Sequence, residues 1–147
     1  MTPAVVNFDL MTVPEIQELI AQIEAAALLI PEDQKIELPL QHYFSDGVYA
    51  REMNVPAGMC IVGKIHKKQN MHILSKGTVL IFSIDGKQKL TAPATWVASP
   101  GSKRLIYIVE DATWTTIHGT HETDLEKIED EFIAKSYDDL LINEVNL

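Results

Sequence analysis

Between Gly58 and Gly77 the chain reads Gly58-Met-Cys-Ile-Val-Gly-Lys64-Ile-His66-Lys-Lys-Gln-Asn70-Met-His72-Ile-Leu-Ser-Lys-Gly77. Two kinds of chemistry are possible here. Lysine and arginine suit carboxylate or phosphate, so Lys64, His66 and Arg104, with Asn70 and His72 beside them, would line the mouth of a pocket for a small anionic molecule. An imidazole also titrates near neutral pH, which makes His66 or His72 a candidate general acid or base. The second chemistry is metal binding. Alternate residues of a strand share a face, so His72 points the same way as Asn70, and His118 the same way as Trp114 and Thr116. His66, His72 and His118 could then converge, and three histidines suffice for a catalytic metal with an open position.

Plainer readings compete. Most lysines between Gly58 and Arg104 would be solvated on turns, and His42 and His121 are expected to be hydrogen-bonded or surface residues. Arg104 is equally readable as an interior charge paired with Glu110, Glu52 or Asp111. Trp96 and Trp114 are expected in the core or as pocket wall.

The elements that position these groups follow from periodicity. Thr12-Val-Pro-Glu15 has the reciprocal capping pattern of a helix start. Ile16, Leu19, Ile20, Ile23 and Ala27 then recur at helical spacing until Pro31. From Val48 the period changes to short β-rich runs at 48–53, 59–66, 71–74, 78–84, 87–91, 95–98, 105–109 and 114–118. Turn residues separate them, and Asp85-Gly86 is a tight-hairpin signal. Regularly spaced short strands predict an antiparallel sandwich or barrel. Thr123-Asp-Leu-Glu126 repeats the capping pattern before a second amphipathic helix (Leu125, Ile128, Phe132, Ile133) that runs to about Lys135. The expected organisation is one domain: an N-terminal helix and lead-in over 1–47, a β-barrel over 48–120, and a C-terminal helix with an acidic tail over 121–147.

The chain has 147 residues, 46% of them hydrophobic, which suits one folded domain with a real core. A net charge of −9 argues against nucleic acid, because neutralising phosphates needs a basic face. The charge is uneven: acid gathers between Glu122 and Glu144, whereas Asp85 is the lone acid between Gly58 and Arg104. Cys60, the single cysteine, excludes an intrachain disulfide, fits a reducing compartment and is expected to be a small core residue. No secretory leader is expected, and the longest apolar run is too short to cross a bilayer. The location expected is cytoplasmic.

On these residues the chain resembles the cupin superfamily, whose fold is a double-stranded β-helix or jelly-roll barrel. The first cupin motif places a glycine, five residues, His-x-His, three or four residues, a glutamate, six residues and a glycine. Gly58 and Gly77 fall at its ends, Lys64 and His66 at its histidines and Asn70 at its glutamate. The second motif ends in a histidine, and Ser99-Pro-Gly101 leads to Arg104 there. The resemblance implies a mainly β, cupin-like jelly-roll barrel with flanking N- and C-terminal helices, and a homodimer. The motifs' metal site is degenerate: only His66 keeps a ligand group, and Lys64 and Arg104 would repel a cation.

Several functions follow from the resemblance. The first is a small-molecule-binding protein that recognises an anionic ligand in the barrel through Lys64, Asn70, Arg104, Tyr107 and Trp114. A second is a metal-dependent oxygenase, isomerase or lyase with one divalent ion (Fe, Mn, Ni or Zn) on His66, His72 and His118. A third is similar to metal-free sugar-nucleotide epimerases and isomerases, with His66 or His72 as base and Tyr49 or Tyr107 as acid. The stretch from Pro93 to His118 also resembles small cupin-domain proteins of tailed phages, which suggests an origin and implies little about activity; a further alternative is a phage interaction module acting on a host protein through the acidic C-terminal region.

Overall fold

The computed structural model describes residues 12–29, 31, 33, 38–83, 86–101 and 104–134. The acidic tail and Asp85 lie outside the described residues.

Helix α1 (Val13–Leu28) starts as its capping pattern requires. The Thr12 N–H donates to Glu15 Oε2 at 3.0 Å, and the Glu15 N–H donates to Thr12 Oγ1 at 3.4 Å. Ile16 and Ile20 are buried against Phe82 and Leu105, with Leu19 packed beside them. Each such side chain contributes about 2 kcal/mol, which holds the helix on the outside of the barrel.

Nine strands follow among the described residues: β1 (Leu40–Ser45), β2 (Val48–Val55), β3 (Cys60–Val62), β4 (Ile65–His66), β5 (Asn70–Ser83), β6 (Gly86–Thr91), β7 (Ala94–Ala98), β8 (Leu105–Gly119) and β9 (Ile133–Ala134). All pairings are antiparallel. The main sheet runs β1-β2-β8-β5-β6, with β3 added on β8 and β7 on β5. The long strands β5 and β8 hold it together. Their register shifts at Lys76 and Thr78, where both bend and pass from one wall of the barrel to the other.

Four features differ from the sequence expectation. The run 71–74 and the described part of the run 78–84 form one strand, as do 105–109 and 114–118. Gly77 is a corner and not a terminus: its φ is +90°, and a Cβ there would lie 2.3 Å from the Asp111 carbonyl oxygen. Strand β1 lies within the segment read as lead-in. Its hairpin with β2 turns at Asp46-Gly47, where Gly47 takes φ +76°. Helix α2 (Leu125–Phe132) is capped one residue later than expected, by Asp124, which accepts from the N–H groups of Glu126 and Lys127. It ends at Phe132, and Ile133 and Ala134 turn back as β9 to pair with β4. Cys60 is exposed and not in the core.

The core lies between the walls. Val55, Leu74, Val79, Ile81, Ile106, Ile108, Ala112 and Trp114 form its main cluster. No helix among the described residues is long and apolar enough to cross a membrane.

Candidate functional site

The barrel encloses a cavity of about 350 Å³, at the small end of ligand-binding pockets. Its wall is mostly apolar, from Leu38, Leu40, Met53, Ile61, Ile106 and Trp114. The charged side chains on it are Arg51, Lys64 and Arg104, and no Asp or Glu among the described residues lines it.

Of the residues expected at a site, Lys64, His66, His72, Arg104 and Trp114 line the cavity. Asn70 stands behind His66, with its side-chain amide hydrogen-bonded to His66 Nδ1. Asn70 Oδ1 and His118 Nδ1 are buried with no hydrogen-bond partner among the described residues. Tyr107 is not at the cavity. Side chains alternate along β8, so Ile106 and Ile108 face inward while Tyr107 packs with Phe82 and Leu105 beneath α1. The tyrosine near the histidines is Tyr49, whose hydroxyl is 2.7 Å from His42 Nδ1. Of the acids considered as partners for Arg104, Glu110 accepts from the Thr78 hydroxyl and Asp111 from the Ala57 N–H.

Arg51 is the site residue that the motif spacing misses. It sits on β2 between Tyr49 and Met53, on the inward face, opposite Thr116 of β8. A sequence signal exists, since Tyr49, Arg51, Met53 and Val55 alternate with outward residues and place one cation in an apolar row. No hydrogen bond or ion pair joins its guanidinium to another described residue. Lys64 is different: its ammonium is bonded to the Glu129 carboxylate of α2 at the rim. That contact holds the Glu129 carboxyl below the usual range.

Rings form a column across the inside of β1, β2, β8 and β4. His42 stacks on Tyr49, Tyr49 on His118 at 6.0 Å, and His118 on His66 at 5.5 Å with 11° between planes. Phe132 closes the column over His118 at 4.4 Å, with Lys68 above it. His72 meets Trp96 face to face and Trp114 edge to face. Trp114 Nε1–H donates to His72 Nδ1 at 2.8 Å. An indole can only donate, so His72 carries its own proton on Nε2.

All three inner histidines are held neutral. Burial is the main cause at each. His66 is lowered to about 4, with His118, Arg51, Arg104 and Lys64 adding to the effect. His72 is lowered to about 3, with Arg104 the next cause. His118 is lowered to about 4 by burial and Arg51, against a smaller opposite push from Glu131.

A barrel of this kind implies a divalent metal, and the residues present do not fit one. Imidazoles ligate through lone pairs in the ring plane. His66 and His118 are stacked, so those lone pairs run side by side instead of meeting at one point. The His72 Nδ1 lone pair is taken by Trp114, and its Nε2 bears a proton. Among the described residues no group of three or more His, Cys, Asp or Glu side chains is arranged to hold a metal ion. The expected three-histidine centre is corrected accordingly: the rings are neighbours without being a ligand set.

No family model and no curated protein matches the chain. Solved structures do. KdgF from Halomonas sp. superposes with a TM-score of 0.51 at 12% identity, covering 62% of this chain and 86% of that one. A putative ethanolamine utilization protein Q from Salmonella typhimurium LT2 gives 0.51 at 8% identity, covering 60% and 74%. A cupin superfamily protein from Desulfitobacterium hafniense DCB-2 gives 0.49 at 14% identity, covering 64% and 85%. At such identities the likeness concerns the fold. The chain is a mainly β, cupin-like jelly-roll barrel with flanking helices.

Proposed function

We propose that this protein binds a small anionic molecule inside the barrel. One observation carries the reading: in a protein of net charge −9, every charged side chain on the cavity wall among the described residues is a cation. Arg51 meets no carboxylate among the described residues, a desolvated cation without a counter-charge is costly, and an incoming anion supplies one. Arg51 makes the principal contact in this reading, with Arg104 on the same wall. Lys64, neutralised by Glu129, contributes at the rim. His66 and His72 serve as neutral hydrogen-bonding groups. A proton-transfer role would use imidazoles far more acidic than the near-neutral value that suits general acid–base catalysis, so the reading is of binding. A homodimer belongs to it as well. Tyr43, Ala50, Ile117, Met71 and Val97 lie in register across the outer face of five strands, and Tyr43, Met71 and Val97 are exposed. Such an apolar row suits a second copy.

The test compares anions with uncharged counterparts by calorimetric titration: benzoate with benzamide, glucuronate with glucose, phenyl phosphate with phenol. The expected result is that at least one anion binds about tenfold tighter than its counterpart, consistent with a charge-assisted contact. The Arg51→Gln/Arg104→Gln double variant should lose that margin, whereas Lys64→Ala should keep most of it. Equal binding within every pair would overturn the proposal.

A further inference from the structure

The cavity wall also carries information about the body of the anion. Each hydroxyl of a sugar or polyol gives up hydrogen bonds to water on entry and must regain them from the wall. This wall offers few. Apart from the three cations, its polar side chains among the described residues are His66, His72, Ser99 and Thr116, and His72 Nδ1 is already occupied by Trp114. The remainder is aliphatic or indole surface from Leu38, Leu40, Met53, Ile61, Ile106 and Trp114. Apolar groups gain free energy against such a surface in proportion to the area they bury.

The charge and size of the ligand are limited too. Lys64 is bonded to Glu129, and the cation on the wall that meets no carboxylate among the described residues is Arg51. Neither helix contributes a described residue to the cavity wall, so no helix N-terminus is part of that wall to meet a doubly charged phosphate. A guanidinium fork matches a planar carboxylate with two parallel hydrogen bonds. His72 Nε2–H, fixed as a donor, adds a neutral partner that suits a carboxylate oxygen and rejects a cation. A cavity of about 350 Å³ accommodates about a dozen non-hydrogen atoms at liquid-like packing.

We infer that the ligand is a monocarboxylic acid with an apolar body, aromatic or aliphatic, its carboxylate on Arg51 and its body against Trp114 and the aliphatic wall. The inference rests on the anion-binding reading and narrows it to one chemical class.

The experiment is calorimetric titration of the full chain with 2-naphthoate and octanoate. Glucuronate serves as a polar carboxylate of similar size, phenyl phosphate as an apolar dianion, and 2-naphthamide as the uncharged counterpart. The expected result is saturable binding of 2-naphthoate or octanoate about tenfold tighter than of the three comparators. Arg51→Gln should abolish that margin, while Arg51→Lys keeps part of it and shows that the barrel still folds. Glucuronate or phenyl phosphate binding as tightly as the apolar acids would overturn the ligand class and leave the anion-binding reading standing. Failure of both apolar acids to bind at millimolar concentration would overturn the ligand class, and the amide binding as tightly as 2-naphthoate, or none of the anions binding, would overturn both.

Discussion

The decisive contact at the residue scale is the hydrogen bond from Trp114 to His72. It lies inside the barrel between two buried side chains, so its loss is not repaired by solvent. It also selects one tautomer, which makes Nε2 the donor nitrogen of His72. Trp114→Phe keeps an aromatic ring and removes the N–H. The expected cost is about 2 kcal/mol of stability, part from the unsatisfied acceptor and part from lost volume. The sharper readout is nitrogen NMR of the His72 ring. The wild type should show a protonated Nε2 and an unprotonated Nδ1, and the variant should show a mixture of the two tautomers. A wild-type His72 protonated on Nδ1 would contradict the assignment. That Lys64, His66, His72, Arg104 and Trp114 line one cavity is legible in part: motif spacing groups Lys64, His66 and Arg104, and strand alternation sets which neighbours share a face with His72 and Trp114. Tyr107 was misjudged because a strand's phase is set by its neighbours in the sheet, and one sequence run does not reveal which of its two faces is the inner one.

At the scale of elements, the barrel depends on two long strands that bend together. Gly77 and the Glu110–Ala112 stretch form that corner, with backbone packed against backbone. In sequence a glycine after a lysine reads as a turn. Whether the chain reverses or only bends there is decided by hydrogen bonds to strands far away in sequence, which local pattern does not carry. The same limit hid β1: its six residues are all exposed, so burial leaves no alternation to read, although Asp46-Gly47 marks its hairpin. Gly77→Ala should destabilise the fold by about 2 kcal/mol or more, because a side chain is strained at this φ and its Cβ would overlap the Asp111 carbonyl. Gly58 also has positive φ, but a Cβ there meets nothing within 4 Å. Gly58→Ala is therefore the internal control and should cost distinctly less. Equal denaturant midpoints for the two variants would remove the corner from its proposed role.

The three neutral histidines set a pH dependence of the whole molecule. Their folded values, about 4, 3 and 4, lie below the ordinary 6.5. Above that value each ring is neutral whether the chain is folded or not, and stability is complete. As pH falls through 6.5 the unfolded chain takes up protons that the folded barrel refuses, so stability drops. The slope is at most about 1.4 kcal/mol per pH unit for each group, and it flattens only as pH reaches the folded values. An opposite effect comes from the net charge of −9, since protonating surface carboxylates relieves self-repulsion. Solvated carboxyls titrate near 4, so little of that relief arrives above pH 5. The histidines therefore dominate between pH 7 and pH 5, and the urea midpoint should fall across that window. His118→Gln removes one contributor without adding charge and should make the decline shallower. A midpoint that stays level or rises from pH 7 to pH 5 would mean that the inner histidines accept protons in the folded state. The barrel would then tolerate charge where the structure keeps it out.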